Sequence, residues 1–115
     1  MTKTKIETLL RIIDAGEFSK LTGILHPDIC YRRPGYAPLQ GIDRVLSFYL
    51  HERVIASGVH HIEAIIVDRD DAACRGRFVG RSKDGRDLAE EFADVYRFAG
   101  DQIIHRQTYF FRPAI

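Results

Sequence analysis

Three features of the amino-acid sequence predict an α+β domain whose helices cover one face of a curved antiparallel sheet. Apolar residues recur at helical spacing in the first half of the chain. Four long stretches in the second half have the composition and alternation typical of strands. Short clusters of Gly, Asp and Ser separate these stretches, and short connections make neighbouring strands antiparallel.

Three helices are predicted in the first half. The first begins at a capping box, Thr4-Lys5-Ile6-Glu7, and ends at Ala15-Gly16. The second covers residues 18–25 and ends at His26-Pro27, because a residue before proline avoids the helical region. The third covers residues 42–55 and has a wide apolar face, with Ser57-Gly58 as its stop.

The remaining segments are predicted as strands and turns. A short strand at residues 29–33 lies between the second and third helices, and a proline-rich loop at residues 34–38 follows it at the rim of a pocket. The long strands are predicted at residues 59–67, 72–81, 87–98 and 102–111.

Asp94 is the most informative residue of the predicted central strand. Alternation places it on the same face as Phe92 and Tyr96. These rings would shield the carboxyl group from water, which disfavours its charged form and suits a proton donor or acceptor. The alternative is a structural acid whose hydrogen bonds are satisfied by an arginine, a tyrosine hydroxyl or backbone amides. The full face is Leu88, Glu90, Phe92, Asp94, Tyr96 and Phe98.

The composition indicates one domain, residues 1–115, and argues against several classes of partner. A net charge of +1 without blocks of like charge argues against nucleic acid. No stretch approaches the ~20 apolar residues that span a bilayer, and the N-terminus lacks a signal peptide, so we expect no membrane partner and a cytoplasmic location. Cys30 and Cys74 have no metal-binding spacing, and we expect no metal or other cofactor.

Two histidine motifs provide further candidate site residues. His60 and His61 are neighbours in a predicted strand, so they point to opposite faces and cannot share a metal, although one of them is expected to face the pocket. His105 and Gln107 share a face of the last strand, where a surface position and a pocket position are both open.

Four short segments carry a family resemblance: Ile13-Asp14-Ala15-Gly16-Glu17-Phe18, His26-Pro27-Asp28, Gln40-Gly41-Ile42-Asp43-Arg44-Val45 and Ala93-Asp94-Val95-Tyr96-Arg97-Phe98. Together with the order of elements, they make the chain resemble the nuclear transport factor 2-like (cystatin-like) superfamily, and within it the SnoaL-like and ketosteroid-isomerase-like members. The resemblance implies a cone: a bent sheet wrapped around three helices, with a mostly apolar pocket open at one end. It also implies a homodimer through the outer face of the sheet.

The same resemblance implies that the reaction is not standard ketosteroid isomerisation. Asp94 falls on the position where ketosteroid isomerases carry a neutral acid that donates a hydrogen bond. Counted without gaps, Arg33 occupies the general-base position and Leu9 the position of the oxyanion-hole tyrosine. A guanidinium does not abstract a proton from carbon.

The candidate site therefore combines Asp94 and Arg33 as catalytic residues. We expect them to form a buried pair at rest, or to bind substrate between them, so that Arg33 holds an anion while Asp94 moves a proton. The candidate substrate-binding residues are Tyr31, Tyr49, Phe92, Tyr96, Gln107 and Tyr109.

Two functional hypotheses follow. The first is an enzyme like the SnoaL-like cyclases, isomerases or dehydratases, acting by proton transfer on a small hydrophobic carbonyl-bearing or polycyclic molecule. The second is a non-catalytic domain that binds a ligand or dimerises, which Arg33 and Leu9 favour because they replace two functional groups of the isomerases.

Overall fold

The computed structural model describes residues 2–113 and has the predicted α+β architecture. The helical elements are α1 (Thr2–Ala15), a 3-10 turn (Phe18–Lys20), α2 (Leu21–Ile24), α3 (Ile42–Ser47) and a π-helical turn (Phe48–Glu52). The strands are β1 (Leu25–Arg32), β2 (Leu39–Gln40), β3 (Ile55–Asp68), β4 (Asp71–Ser82), β5 (Asp87–Ala99) and β6 (Gln102–Phe110). None of the helices in the described residues is long and apolar enough to span a membrane.

One sheet contains the six strands in the order β2-β1-β6-β5-β4-β3. The prediction that β5 lies inside the sheet is confirmed, since β4 and β6 pair with its two edges. The predicted antiparallel pairing of the four long strands is confirmed, and β1, for which no pairing partner was predicted, runs parallel to β6. The connection between these two strands, residues 33–101, contains helix α3 and three long strands and is long enough to permit that direction.

The predicted element boundaries differ from the structure mainly around the short helices. Helix α1 already includes Thr2, before the predicted capping box. The second helical region ends at Ile24, because β1 begins at Leu25 and runs through Pro27 next to β6. The third ends at Glu52 and not at Ile55, because Ile55 pairs with Ser82 of β4. In each case pairing with a distant strand outweighs local helical periodicity.

The inner face of the sheet packs against the helices and forms the core. Leu9 is 1% exposed and belongs to this core. The largest fully buried side chains are Tyr31, Tyr96, Phe48, Phe78, Ile6, Leu9, Leu10, Ile13, Leu21, Ile29, Leu39 and Ile103.

A β-bulge in β6 determines which of its side chains reach the inner face. Arg97 of β5 pairs with His105, but the next residue, Phe98, pairs with Ile103, so β6 contains one extra residue. The extra residue reverses the alternation along β6. Ile103 is buried on one side of the bulge, and Arg106 and Thr108 are buried on the other.

Gly76 allows β3 and β4 to approach closely where β3 changes register. It pairs with Ile62, just before the shift between Ile62 and Ala64. A Cβ atom at Gly76 would lie 2.0 Å from the carbonyl oxygen of His61. Because that oxygen belongs to the backbone of a paired strand, the strand itself would have to move.

We therefore expect Gly76→Ala to lower the free energy of unfolding by about 1–3 kcal/mol, the usual cost of overpacking. Urea unfolding followed by circular dichroism measures this change. The matched control is Gly23→Ala in α2, where a Cβ meets no atom within 4 Å, and its unfolding free energy should be unchanged or slightly higher. Equal stability of Gly76→Ala and wild type would show that the strands are not in this close register.

Candidate functional site

Asp94 lies at the centre of a buried polar cluster on the inner face of β5. Its side chain is fully buried and accepts hydrogen bonds from three residues. The Tyr96 hydroxyl donates to Oδ2 at 2.8 Å, and Arg106 donates to the same oxygen from Nε at 3.1 Å and from Nη2 at 2.9 Å. Thr108 donates to Oδ1 at 2.6 Å. Donors of this number and charge stabilise the ionised carboxylate.

Arg106, not Arg33, forms the ion pair with Asp94, so the predicted Arg33–Asp94 pair is wrong. Arg106 is opposite Tyr96 in the β5–β6 ladder, which brings its guanidinium within reach of the carboxylate two residues away. Burial alone would lower the pKa of Arg106, but the Asp94 carboxylate raises it well above its usual value. Burial and the Asp94 charge likewise raise the pKa of Tyr96 well above its usual value, so this phenol remains a donor.

Arg33 reaches Asp94 through a relay of two hydroxyl groups. Its Nη1 donates to the Tyr31 hydroxyl at 3.1 Å, and Tyr31 lies 3.0 Å from the hydroxyl of Thr108, which donates to Asp94. Because Thr108 uses its proton toward Asp94, Tyr31 is the donor in its contact with Thr108. Burial raises the pKa of Tyr31, but the charges of Arg106 and Arg33 outweigh burial, and the net pKa is lowered.

Tyr49 and Arg53 extend the cluster toward the π-helical turn. Arg106 donates from Nη1 to the Tyr49 hydroxyl at 2.8 Å, and the Arg53 guanidinium lies 5.4 Å from the centre of the Tyr49 ring. Burial raises the pKa of Tyr49. Burial lowers the pKa of Arg53. The Arg53 Nε is buried and has no hydrogen-bond acceptor among the described residues, an arrangement that costs about 1–3 kcal/mol.

A second polar group, formed by Asp14 and His60, reaches the same region from the other side. Asp14 lies near the end of α1, and its Oδ2 accepts the backbone N–H of His60 at 2.9 Å. Its Oδ1 lies 2.5 Å from Nδ1 of the His60 ring. An ionised Asp14 fixes the proton on Nδ1, which leaves Nε2 as an acceptor. The ring packs against Phe78 and Phe92, with centroids 4.8 and 5.2 Å away.

A small cavity lies between these two groups. It offers about 20 Å³ to the centre of a water molecule, which is room for one water or a small polar group. A ligand with several rings would enter only if side chains of the wall moved. The cavity is lined by Ile13, Tyr31, Arg33, Tyr49, Arg53, Ile55, His60, Phe78, Phe92, Asp94, Arg106, Thr108 and Phe110.

Five of the eight predicted site residues line this cavity, and three do not. The residues that line it are Asp94, Arg33, Tyr31, Tyr49 and Phe92. Tyr96 does not line it, but its hydroxyl donates a hydrogen bond to Asp94, which does. The predicted positions of Gln107 and Tyr109 are wrong. Gln107 pairs with Val95 and Tyr109 with Ala93, so both lie on the outer face of the sheet, where Tyr109 is 50% exposed.

Sequence analysis missed Arg106, Thr108 and Arg53, and it left open which of His60 and His61 faces the pocket. The first two are missed because of the bulge in β6, since unbroken alternation from Ile103 selects His105, Gln107 and Tyr109. The sequence does contain a signal for the other register of β6, because Arg106 and Thr108 are two residues apart and therefore share one face of a strand.

The structure offers no obvious place for a metal ion. The described residues contain no group of three or more His, Cys, Asp or Glu side chains that could hold one. Cys74 lies near the cluster, with its Sγ 3.8 Å from the Tyr96 hydroxyl oxygen. Burial and the Asp94 charge raise the pKa of this thiol to about 11, so it is protonated at neutral pH.

Comparisons with known proteins identify a family and a fold. The family model for the SnoaL-like domain matches residues 6–106. No curated protein sequence matches the chain. An NTF2-like protein of unknown function from Burkholderia pseudomallei is similar in structure, with a TM-score of 0.86, 17% identity, and coverage of 94% of this chain and 88% of that one.

Two further solved structures have the same fold. A hypothetical protein with a ketosteroid isomerase-like fold from Catenulispora acidiphila, in complex with trimethylamine, has a TM-score of 0.82 at 16% identity and covers 91% of this chain and 83% of its own. An LEH-like epoxide hydrolase from M. tuberculosis has a TM-score of 0.80 at 15% identity. The match covers 93% of this chain and 80% of that one. At these identities the likeness establishes the fold alone.

Removal of the buried carboxylate charge should destabilise the protein. We expect Asp94→Asn to lower the free energy of unfolding by about 3–5 kcal/mol, because it leaves Arg106 buried without a counter-ion. Adding Arg106→Met should recover part of this loss, since the unpaired charge is then removed as well. Urea denaturation of the single and double variants measures both effects.

The matched control is Glu63→Gln, which breaks an exposed ion pair with Arg75. Such a pair contributes at most about 1 kcal/mol. If Asp94→Asn cost no more than Glu63→Gln, the ion pair would not have the buried geometry described above.

Proposed function

Because the chain belongs to the SnoaL-like domain family, we propose that the cavity is the active site of an enzyme that transfers protons on a small carbonyl-bearing molecule. The reaction class is that of an isomerase, cyclase or dehydratase. One observation carries the proposal: an imidazole oriented by a carboxylate and a guanidinium–phenol cluster line the same small cavity. Acid–base chemistry next to a carbonyl requires these two parts.

His60 is the general base in this proposal. Its Nε2 takes a proton from a carbon adjacent to the carbonyl group, and the bond electrons move to the carbonyl oxygen to form an enolate. The Asp14 carboxylate at Nδ1 keeps the ring in the required tautomer and stabilises the imidazolium that forms. The imidazolium then returns the proton to another atom of the substrate, so no proton is gained or lost overall.

Tyr49 stabilises the enolate oxygen. Its hydroxyl oxygen accepts a hydrogen bond from Arg106, and its own hydrogen is not donated to any described residue. Burial raises the pKa of Tyr49, so the phenol keeps its proton at neutral pH and can donate it in a hydrogen bond. Arg106 polarises this phenol and adds positive charge where negative charge develops, which is the arrangement of an oxyanion hole.

Asp94 holds Arg106 in place through two hydrogen bonds. A second candidate assigns the proton transfer to Asp94 itself, because this residue lines the cavity and its Oδ1 accepts a hydrogen bond from Thr108 alone among the described residues. Arg33 then acts on the substrate through Tyr31. The two assignments predict different sensitive residues, His60 or Asp94.

The cavity wall suits a small substrate that has both apolar and polar groups. Ile55, Phe78 and Phe92 provide apolar wall, and Tyr31 and Tyr49 provide polar contacts. Because the enclosed volume is small, we propose that the substrate is smaller than a polycyclic ketone.

Exchange of hydrogen for deuterium in D2O tests the proposed base. We expect the wild type to catalyse exchange next to the carbonyl of at least one of three probes: acetylacetone, ethyl acetoacetate and 2-oxobutanoate. His60→Gln should slow exchange by about 100-fold or more, since it removes the base. Proton NMR measures the rates.

Two further variants make the assignment specific. Asp14→Asn should slow exchange by a smaller factor than His60→Gln, because it disturbs the tautomer but leaves the base. His61→Gln is the matched control, since the neighbouring ring lies on the other face of β3 and is absent from the cavity, and it should exchange at the wild-type rate. Loss of exchange in Asp94→Asn with a folded, fully active His60→Gln would instead support Asp94 as the base. No catalysed exchange of any probe would contradict the proposal.

We also propose that the chain forms a homodimer through the outer face of the sheet. Val95 is 45% exposed there, and Tyr109 is 50% exposed next to Ala93. Exposed apolar side chains on a flat sheet face are typical of an interface.

Light scattering after size exclusion checks this arrangement. The wild type should have twice the mass of one chain, and Val95→Arg should have the mass of a monomer, because it places a charge in the apolar contact. Leu50→Arg is the control: Leu50 is 57% exposed but lies in the π-helical turn, and the variant should remain dimeric. A monomeric wild type would exclude the proposed dimer.

A further inference from the structure

We propose that the ligand of this cavity carries a carboxylate group and that Arg53 binds it. The inference rests on the proposed function and deepens it, because it names the chemical class of the substrate: a small carboxylic acid in its ionised form. The carbonyl-bearing part of the same molecule would then lie toward His60 and Tyr49.

The first argument is the balance of charge around the cavity. The guanidinium groups of Arg53 and Arg106 both line it, whereas Asp94 is the single carboxylate among the described lining residues. Asp94 is occupied by Arg106. In a site shielded from water, an excess of positive charge strongly favours an anionic ligand.

The second argument is the state of Arg53 itself. Arg53 is 7% exposed, and its Nε has no acceptor among the residues that the structure describes. Arginine is rarely buried to this degree without a paired anion. The Tyr49 ring at 5.4 Å offers a cation–π contact, which does not replace a hydrogen-bond acceptor.

A comparison of Arg53 with the hydrogen bonding of Arg106 supports this interpretation. Arg106 uses Nε and Nη2 for Asp94 and Nη1 for Tyr49, so its donors face protein acceptors. Arg53 lines the same cavity, and within residues 2–113 its Nε has no acceptor. Burial lowers the pKa of Arg53, although the Tyr49 phenol acts in the opposite direction.

The size and walls of the cavity favour a carboxylate over a larger anion. A planar carboxylate can accept two parallel hydrogen bonds from one edge of a guanidinium, including Nε. The cavity has about 20 Å³ for the centre of a water molecule, which suits a group of this size better than a tetrahedral phosphate. Ile13, Ile55 and Phe78 surround the remainder with apolar side chains, so the rest of the ligand should be short and weakly polar.

A matched pair of probes tests the proposal in the wild-type protein. 2-Oxobutanoate and its neutral amide, 2-oxobutanamide, differ mainly in the carboxylate charge. Each is titrated to about 50 mM at constant ionic strength and followed by amide and arginine Nε–H signals in NMR spectra. We expect the acid to bind about 10- to 100-fold more tightly than the amide, as for charge-assisted hydrogen bonds, and to shift the Arg53 Nε–H signal.

Variants of Arg53 identify the binding group. Arg53→Met should reduce the affinity for the acid about 10- to 100-fold and leave the affinity for the amide unchanged. Arg53→Lys keeps the charge and should retain part of the preference for the acid. Arg44→Met is the matched control, because Arg44 pairs with Glu52 on the surface, and it should bind like the wild type. Amide signal dispersion confirms that each variant is folded.

The outcomes separate this inference from the proposed function. His60→Gln should still bind 2-oxobutanoate, so binding without catalysed exchange would contradict the base and leave the carboxylate site standing. Equal affinity for acid and amide, undiminished acid binding by folded Arg53→Met, or no binding of the acid to wild type would overturn the inference. Exchange of ethyl acetoacetate could still proceed in each of these cases.

Discussion

The buried ion pair between Asp94 and Arg106 is the constraint on which the rest of the site depends. A carboxylate that is fully buried in the core needs a counter-ion and additional donors, and Arg106, Tyr96 and Thr108 supply them. Each partner is then restricted in turn. Arg106 must lie opposite Tyr96, which requires the present register of β5 and β6. The orientation of Arg106 also places its third nitrogen on Tyr49, so the ion pair determines the polarity of the cavity wall.

The sequence allows the fold and the central strand to be predicted, because these depend on local patterns. Alternation along β5 assigns Asp94, Phe92 and Tyr96 to one face, and the structure confirms that face as buried. The same rule fails one strand later. The bulge near Ile104 has no glycine or proline to mark it, and one extra residue exchanges the two faces of β6. Gln107 and Tyr109 therefore replace Arg106 and Thr108 in a prediction that assumes regular alternation.

Long-range contacts account for the other differences. Asp14 and His60 are separated by 46 positions, and their contact depends on how α1 packs against β3. Neither residue has a local signal that names its partner. Arg53 lies just after the π-helical turn, where periodicity predicts three further residues of helix. Because β3 already begins at Ile55, the helical region ends at Glu52 and Arg53 lies beside the cavity. The position of the Arg53 charge therefore depends on where β3 begins.

The arrangement also explains how stability and function are coupled in this core. Asp94 neutralises the Arg106 guanidinium, whereas the buried Arg53 has an Nε with no acceptor in the part of the chain that the structure describes. An apolar side chain at Arg53 would pack against Tyr49 without the cost of removing a charge from water. A core selected for stability alone would avoid that cost, whereas a binding site uses it, because an anion that enters gains the interaction that the folded protein lacks. The low dielectric that makes a buried Arg53 unfavourable would also strengthen its attraction for the proposed carboxylate, so both effects would have one physical origin.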